Sequence, residues 1–274
     1  MKSARPLLGI TLALLASTVH SPAADLARQR TLLDDDWRFV LADQTNAASA
    51  DFDDTAWRSV TLPHDWSIEG KRYPTAPMGG DGGFFPSGIG WYRRHLAVPS
   101  SWANRRVEVE FEGVYRDAYV YLNGHKLTFH PYGFTSFFVD LTPELRFGED
   151  NVLAVRVDNS LQKNNQAYTG SGIYRHVWLT VMNPVHVAPW GVFVSVPKAE
   201  AELAQVTVQT EVSNESSTPA QVTFTIYADG TPTEVDEFAT PAPFTGAGTF
   251  DCAGDQLTVQ LAANTAPIVM DRAG

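Results

Sequence analysis

The sequence predicts an all-β protein built from two successive β-sandwiches. Apolar and polar residues alternate with a period of two along most of the chain, as in strands with one buried and one solvated face. No convincing helical pattern appears after residue 24, and Gly, Pro and Asn separate the strand-like runs. The chain of 274 residues is long enough for one large or two modest domains at roughly 100 to 200 residues each.

The clearest strand pattern covers residues 106–113. Apolar residues alternate there with Glu108, Glu110 and Glu112, so we expect one buried apolar face and one carboxylate face in water. The next strand pattern, at residues 118–122, leads into Asn123-Gly124. This pair is typical of a type I′ hairpin turn, because both central positions of that turn need positive φ.

The runs at residues 151–158 and 176–182 repeat the strand pattern. Pro184 and Pro189 then flank a short extended segment that suits a connection between two sheets, so we predict one domain over residues 25–184 and another over 185–274. In the second domain, short strand-like runs separated by turn residues are typical of an immunoglobulin-like sandwich. Residues 264–274 show no strand pattern, so we expect this sandwich to be truncated.

The first 24 residues have the parts of a secretory signal peptide in the expected order. Lys2 and Arg5 precede the apolar stretch Leu7–Val19, and the small residues Ser21–Ala24 follow it. The stretch is short for a membrane span, although a membrane anchor or a buried helix would also be apolar. We expect cleavage just before Asp25, a secreted or periplasmic chain, and no membrane partner after cleavage.

Composition and spacing exclude several classes of site. A formal net charge of -11 argues against a nucleic-acid partner, because phosphate binding needs clustered cations. The single cysteine, Cys252, cannot form an internal disulfide. The aspartates at residues 34–36 and 51–54 lack the spacing of a calcium loop, and the glycines at 79–83 lack that of a nucleotide-binding loop. We therefore expect no metal and no cofactor.

Seven sequence blocks carry a family resemblance. They are Phe52–Trp57 (FDDTAW), Leu62–Trp66 (LPHDW), Gly88–Arg93 (GIGWYR), Val120–Gly124 (VYLNG), Gly133–Phe137 (GFTSF), Val157–Ser160 (VDNS) and Gly170–Arg175 (GSGIYR). With these blocks in the same order, residues 34–197 resemble the N-terminal region of family 2 glycoside hydrolases, which include β-galactosidases, β-glucuronidases and β-mannosidases. The LPHDW block is similar to the β-galactosidase branch.

The resemblance implies a jelly-roll sugar-binding sandwich followed by an immunoglobulin-like sandwich. In this family a (β/α)8 barrel comes next and supplies both carboxyl groups of a retaining hydrolysis of terminal β-glycosides. Such a barrel needs at least roughly 200 residues, and the sequence leaves no room for one after the second sandwich. We therefore expect no catalytic residue in this chain and no activity of the chain alone. Asn214-Glu215 has the dipeptide of the family's acid/base site, but its polar surroundings predict a turn.

Three interpretations of the chain remain open. It is the front part of a longer enzyme whose barrel lies downstream, a free-standing carbohydrate-binding module, or a partner that docks onto a separately encoded barrel. In each case the expected ligand is a β-glycoside or another glycan.

The resemblance points to Asp158, with Asn159 beside it, as the substrate-binding position. In β-galactosidase-like members the corresponding aspartate reaches the active site of the barrel, and a carboxylate can accept charge-assisted hydrogen bonds from sugar hydroxyls. The alternative is an Asx turn that only closes the strand end. We expect His64 and Asp65 to be a satisfied loop pair, and Arg175 to have a buried carboxylate partner.

The chain has seven tryptophans, which could stack on sugar rings. Burial in the core is the simpler interpretation for most of them. We expect Trp37, Trp57, Trp66, Trp91 and Trp178 in the core and Trp190 at the junction of the two domains.

Overall fold

The computed structural model describes residues 28–162, 167–199, 204–225, 227–228, 231–232, 250–253, 256–261 and 265–270. Within these ranges the strands pair in antiparallel sheets and the only α-helix is α1 (Trp66–Glu69), which confirms the predicted all-β class. This single turn was not predicted. It begins because the side chain of Asp65 accepts a hydrogen bond from the amide of Ser67 at its N-terminus.

Ten strands precede residue 183. They are β1 (Arg28–Leu32), β2 (Trp37–Val40), β3 (Arg58–Val60), β4 (Gly88–Ala97), β5 (Arg106–Phe111), β6 (Ala118–Leu122), β7 (His125–His130), β8 (Phe137–Asp140), β9 (Asp150–Asn159) and β10 (Val177–Met182). Two short 3-10 helices lie at Ser100–Trp102 and Thr142–Glu144.

These strands form a sandwich of two sheets. The four-stranded sheet has the order β1-β10-β5-β8, and the six-stranded sheet has the order β3-β2-β4-β9-β6-β7. One core fills the space between them, because the apolar alternate residues of both sheets point inward. Its fully buried side chains include Trp37, Tyr92, Val107, Val109, Phe111, Leu122, Leu153 and Val177. Among the tryptophans predicted to be buried, Trp178 is only half-buried.

The predicted hairpin at Asn123-Gly124 is confirmed. Both residues have positive φ, 52° and 91°, and they join the paired strands β6 and β7. The Asn123 side chain also donates to Asn151 Oδ1 at 2.8 Å and accepts from the amide of Val152 at 2.9 Å. The turn residue thus ties the hairpin to β9 as well as shaping it.

The buried arginine of the first sandwich is Arg93, not Arg175. Arg175 is exposed, so the expectation of a buried carboxylate partner for it was wrong. Arg93 is fully buried on the outer face of the six-stranded sheet, where its Nε lies 2.7 Å from Asp54 Oδ2. Its guanidinium also donates to the carbonyls of Ala47 and Ser49, at 2.5 and 2.8 Å. Arg93 therefore fixes the segment 41–57 over that face.

The predicted wet face of β5 is only partly wet. Glu108 is 6% exposed, because it lies in a pocket on the outer face of the four-stranded sheet rather than in open water. Burial is the main cause that raises its pKa from the usual 4.5 to about 7, although Arg106 opposes the shift. The alternation of apolar residues and glutamates gave the correct strand but the wrong environment for this carboxyl.

Eight strands follow residue 184. They are β11 (Val185–Ala199), β12 (Ala204–Asn214), β13 (Ala220–Thr225), β14 (Tyr227–Ala228), β15 (Thr231–Pro232), β16 (Phe250–Ala253), β17 (Gln256–Leu261) and β18 (Thr265–Met270). They form two three-stranded sheets, β11-β12-β18 and β13-β17-β16, and the pair β14-β15.

The expectation that residues 264–274 contain no strand was wrong. β18 pairs with β12, for example through Thr210 and Met270. The sequence of β18 does not alternate regularly between apolar and polar residues. This segment is therefore a strand because it pairs with β12, and not because of its local pattern. The predicted leader, residues 1–24, lies outside the described residues. No helix in the described ranges is long and apolar enough to cross a membrane.

Candidate functional site

The predicted site lies at one end of the first sandwich, where β9 ends beside the start of β4. Asp158 is paired with Ile89, and Asn159 with Gly88. The amide of Asp158 donates to the carbonyl of Arg116 at 3.1 Å. We call the segments around this strand end the rim: residues 64–70, 84–88, 115–117, 156–162 and 167–175.

Asp158 forms the Asx turn that was the alternative to a substrate contact. Its Oδ1 accepts from the amide of Ser160 at 3.0 Å and from the Ser160 hydroxyl at 2.6 Å. Its Oδ2 lies 3.2 Å from a guanidinium nitrogen of Arg156, and the side chain remains 23% exposed. A carboxylate oxygen can accept two hydrogen bonds. Oδ1 is therefore saturated, while Oδ2 can still accept one from a ligand.

Arg156 holds this carboxylate in place from the neighbouring position on the same strand face. It also forms a bidentate pair with Asp43, with both nitrogen–oxygen distances at 2.9 Å. The hydrogen bond from Arg156 lowers the pKa of Asp43, and the same contact raises the pKa of Arg156. Arg156 therefore stays charged and limits the directions in which Asp158 can point.

Asn159 lies beneath the rim and not on its surface. It is fully buried, and its Nδ2 donates to the carbonyl of Gly170 at 3.1 Å and to Ser171 Oγ at 2.7 Å. Its Oδ1 accepts from Gln162 at 2.8 Å. The side chain thus connects the end of β9 to the 167–175 segment, which places the neighbouring Asp158.

Asp65 is the second centre of the rim, and sequence reasoning did not identify this role. Besides capping α1, its Oδ1 accepts from the amide of Ser171 at 2.9 Å, and its Oδ2 accepts from the hydroxyl of Tyr168. Burial, followed by this hydrogen bond, raises the pKa of Tyr168. The expected satisfied pair is present, since His64 also has partners, and Asp65 in addition joins two rim segments, 64–70 and 167–175.

His64 has no role as a solvent-facing base. It is 6% exposed, its Nδ1 lies 2.7 Å from the Tyr92 hydroxyl, and its Nε2 lies 3.3 Å from Glu69. Burial lowers the pKa of His64, although Glu69 opposes the shift. The imidazole is therefore neutral near pH 7 and serves the packing of the first sandwich.

Partly or fully exposed aromatic side chains lie in the rim and next to it, and residue spacing alone provided no signal for them. Phe85 and Tyr168 lie with their ring centroids 5.1 Å apart, and the guanidinium of Arg72 lies 4.4 Å from the centre of the Phe85 ring. The exposed Phe134 contacts Tyr115 of the rim with ring centroids 5.1 Å apart, and its ring centroid lies 5.7 Å from that of the exposed Tyr132. Such side chains can stack on a sugar ring or pack against a protein.

The described residues contain no group of three or more His, Cys, Asp or Glu side chains that could hold a metal ion. Asn214 is buried in a turn, where its Oδ1 accepts from the amide and the hydroxyl of Ser216, and Glu215 pairs with Arg106 at 3.1 Å. This geometry confirms the predicted turn. Glu108 and Glu110 share a pocket, but they are neighbours on one strand face and do not face each other across a cleft.

Comparison with known families gives a match over most of the first sandwich. Residues 31–183 match the family described as "Glycosyl hydrolases family 2, sugar binding domain". The β-galactosidase BoGH2A of Bacteroides ovatus is 45% identical over 196 residues, which are 72% of this chain and 23% of that protein. A putative β-glucuronidase of Formosa agariphila is 33% identical over 73% of this chain and 19% of its own length.

Solved structures agree with the sequence relatives. A glycosyl hydrolase family 2 member from Bacteroides cellulosilyticus superposes with a TM-score of 0.74 at 31% identity, covering 88% of this chain and 30% of that chain. The β-glucuronidase 2 of Bacteroides uniformis, solved with a covalently bound cyclophellitol-6-carboxylate aziridine, gives a TM-score of 0.71 at 29% identity, covering 90% of this chain and 28% of that one.

The chain thus spans 19% to 23% of the two sequence relatives, and its match lies in their sugar-binding N-terminal region. The family match, the sequence relatives and the solved structures confirm the predicted resemblance. This chain belongs to glycosyl hydrolase family 2.

Proposed function

We propose that the chain is the glycan-positioning, non-catalytic front part of a secreted β-galactosidase-type enzyme. The observation that carries the proposal is the Asp158 carboxylate, which is fixed at the rim and keeps one acceptor position on Oδ2. The similarity to a β-galactosidase supports a terminal β-galactoside as the substrate. The whole enzyme would hydrolyse it with retention of configuration.

The chemistry of a retaining glycosidase explains why this chain would position the sugar while another domain cleaves the bond. Cleavage needs two carboxyl groups about 5 to 5.5 Å apart on opposite sides of the scissile bond. Glu108 and Glu110 share one pocket but project side by side, and Arg30 pairs with Glu110 at 2.8 Å. The acid pair is therefore assigned to a catalytic barrel, in the same chain or in a partner.

In this arrangement Asp158 accepts a hydrogen bond from a sugar hydroxyl, and Asn159 is a positioning residue. Arg156 and Ser160 hold the carboxylate from two sides, so little side-chain entropy is lost when the sugar binds. A hydrogen bond to a charged group contributes about 1.5 to 3 kcal/mol. The rim would thus discriminate between sugars by their hydroxyl positions without taking part in bond cleavage.

The first test concerns activity of the chain alone. The purified chain is expected to release no nitrophenol from p-nitrophenyl β-galactoside. Turnover that a single carboxylate substitution in this chain abolishes would overturn the assignment.

The DNA sequence beyond codon 274, read in all three frames, distinguishes a barrel in the same gene from one encoded elsewhere.

The second test concerns Asp158 in the enzyme assembled with its barrel. Asp158→Asn is expected to lower kcat/KM about 10- to 100-fold, the equivalent of losing one charged hydrogen bond. Asp53→Asn is the matched control, because Asp53 makes the same Asx turn with Thr55, at 3.0 and 2.6 Å, away from the rim. If both substitutions change kcat/KM equally, Asp158 serves only to form its turn and does not contact the sugar.

A free-standing carbohydrate-binding module is the second candidate. Three exposed aromatic residues favour it: Phe84 in the rim, and Tyr132 and Phe134 next to it. This function predicts glycan affinity in the chain without any barrel, and loss of that affinity when these residues are replaced by alanine.

A further inference from the structure

The described part of the molecule has a second candidate binding site, away from Asp158. A pocket of about 280 Å³ lies on the outer face of the four-stranded sheet, beside the start of β11. Trp190, Phe138 and Pro189 form its apolar side, and the polar residues that line the rest are Arg28, Arg30, Glu108, Glu110 and Thr180. Asp158, in contrast, ends a strand of the six-stranded sheet.

Trp190 is the aromatic wall of this pocket. Its side chain is 71% exposed, and its ring meets that of Phe138 at 81° with centroids 4.9 Å apart. The two rings do not stack, so the indole remains accessible. Trp190 also has a positive φ of 52°, which is uncommon for a bulky residue. It therefore contacts the first sandwich, as predicted for the domain junction, but it is not buried there.

The opposite side of the pocket offers oriented polar groups. Arg30 donates to Glu110 at 2.8 Å, and its guanidinium lies 3.9 Å from the centre of the Trp178 ring. These two contacts fix the arginine over the sheet surface. Thr180 is paired with Glu108 across β10 and β5 and adds a hydroxyl to the pocket lining. The pocket wall thus places hydrogen-bond donors, from Arg30 and Thr180, close to hydrogen-bond acceptors, from Glu108 and Glu110.

We propose that this pocket binds one pyranose unit of a neutral glycan, which stacks on Trp190 and hydrogen-bonds to Glu110, Glu108 and Arg30. An indole ring next to carboxylates suits a sugar, whose ring has an apolar C–H face and a hydroxyl edge. Two arginines, Arg28 and Arg30, and two glutamates line the pocket, so their formal charges balance and favour a neutral ligand over an anion. The site is a binding site only, because its carboxyls lie on the same strand face.

The protonation of Glu108 supports this ligand class. Its pKa of about 7 means that a neutral carboxyl and a carboxylate are both populated near pH 7. A neutral carboxyl donates one hydrogen bond and still accepts others. Glu108 can therefore match a sugar hydroxyl in either direction, whereas Glu110 stays paired with Arg30.

The test uses the full chain labelled with 5-fluorotryptophan. The chain has seven tryptophans, and each is expected to give its own ¹⁹F signal. Trp190→Phe assigns the signal of Trp190. Galactose, glucose, mannose and their β-linked disaccharides are the probes. At least one is expected to shift the Trp190 signal in a saturable way. Glu110→Gln is expected to weaken the binding measured from this signal about tenfold. Trp190→Ala removes the reporter ring, so its binding is measured by isothermal titration calorimetry against wild type, where it is also expected to fall about tenfold.

Two controls separate this site from the rim. Phe134→Ala removes another exposed aromatic ring, and Asp158→Asn changes the rim; both are expected to leave the Trp190 titration unchanged. Melting temperatures identify any variant that loses its fold. No shift of the Trp190 signal up to molar-range monosaccharide would overturn the proposal, whatever the result for Asp158. A signal that moves only with a protein partner would also overturn it and define a protein interface.

Discussion

Replacing Glu108 by glutamine should change how the stability of the protein depends on pH. The folded state raises the pKa of this carboxyl from 4.5 to about 7. Between these pH values the folded protein binds a proton that the unfolded chain releases. The stabilisation from the bound proton is complete below about pH 4.5 and is lost as the pH rises through about 7.

The size of the effect follows from the shift. A change of about 2.5 pKa units corresponds to about 3 kcal/mol at 1.36 kcal/mol per unit. Arg106 lies 3.7 Å from Glu108, and the pocket admits water, so we expect about 2 kcal/mol after screening. Asp140 adds to the shift in pKa and Arg28 opposes it. A glutamine side chain at this position would keep the shape of the glutamate but would not titrate.

The assay is urea unfolding of the wild type and of Glu108→Gln between about pH 4.5 and pH 8.5. Relative to wild type, the variant should gain about 2 kcal/mol in unfolding free energy across this range. Glu110→Gln is the matched control on the same strand face, where loss of the Arg30 pair should cost less than about 1 kcal/mol and leave the wild-type pH dependence in place. Parallel pH profiles for wild type and Glu108→Gln would refute the reasoning.

Three further substitutions test other parts of the structure by urea unfolding at pH 7. Asp54→Ala leaves the buried guanidinium of Arg93 without its carboxylate and should cost about 3 to 5 kcal/mol; a cost below about 1 kcal/mol would contradict the assigned pair. Gly172→Ala should cost at least about 2 kcal/mol, since φ is +119° and a Cβ would collide with the Tyr92 hydroxyl; near-wild-type stability would show that this bend yields. Asp158→Ala should cost only about 1 kcal/mol, as expected for the loss of an exposed turn; a cost above about 3 kcal/mol would mean that the residue supports the core.

The strands of the first sandwich could be predicted because each of them satisfies a local rule. Alternation identified β5, β6, β9 and β10, since a strand between core and water repeats its environment every second residue. Asn123-Gly124 identified a hairpin because few other residue pairs adopt positive φ twice. These signals lie within a few residues and do not require knowledge of the partner strand.

The features that escaped prediction depend on distant segments. The burial of Glu108 results from the pocket beside β11, and β18 is a strand because β12 pairs with it. The sequence marks both Arg93 and Arg175 as members of family blocks, but only the segment 41–57 decides which of them is buried. The alternation of apolar and polar residues along a strand predicts which of its faces is buried. It does not predict which distant segment covers that face.

The network at Asp65 was missed for the same reason. Its sequence context predicts a satisfied loop pair with His64, which is a local role. Its bonds to Ser171 and Tyr168 span more than 100 positions in the sequence. The Asx turn at Asp158, in contrast, could be predicted, because it involves only the residue two positions later, whereas the sugar contact of Asp158 rests on the family resemblance.

The long sequence separation at the rim has a consequence for biosynthesis. Ser67 and Ser171, 104 positions apart, are joined by a hydrogen bond between their hydroxyls. A ribosome delivers the first partner long before the second, and closing so long a loop is entropically unfavourable until the strands between them have paired. The rim is therefore assembled late. A nascent chain that stalls before residue 171 lacks the contact that closes the rim, so a complete rim shows that translation has passed this point.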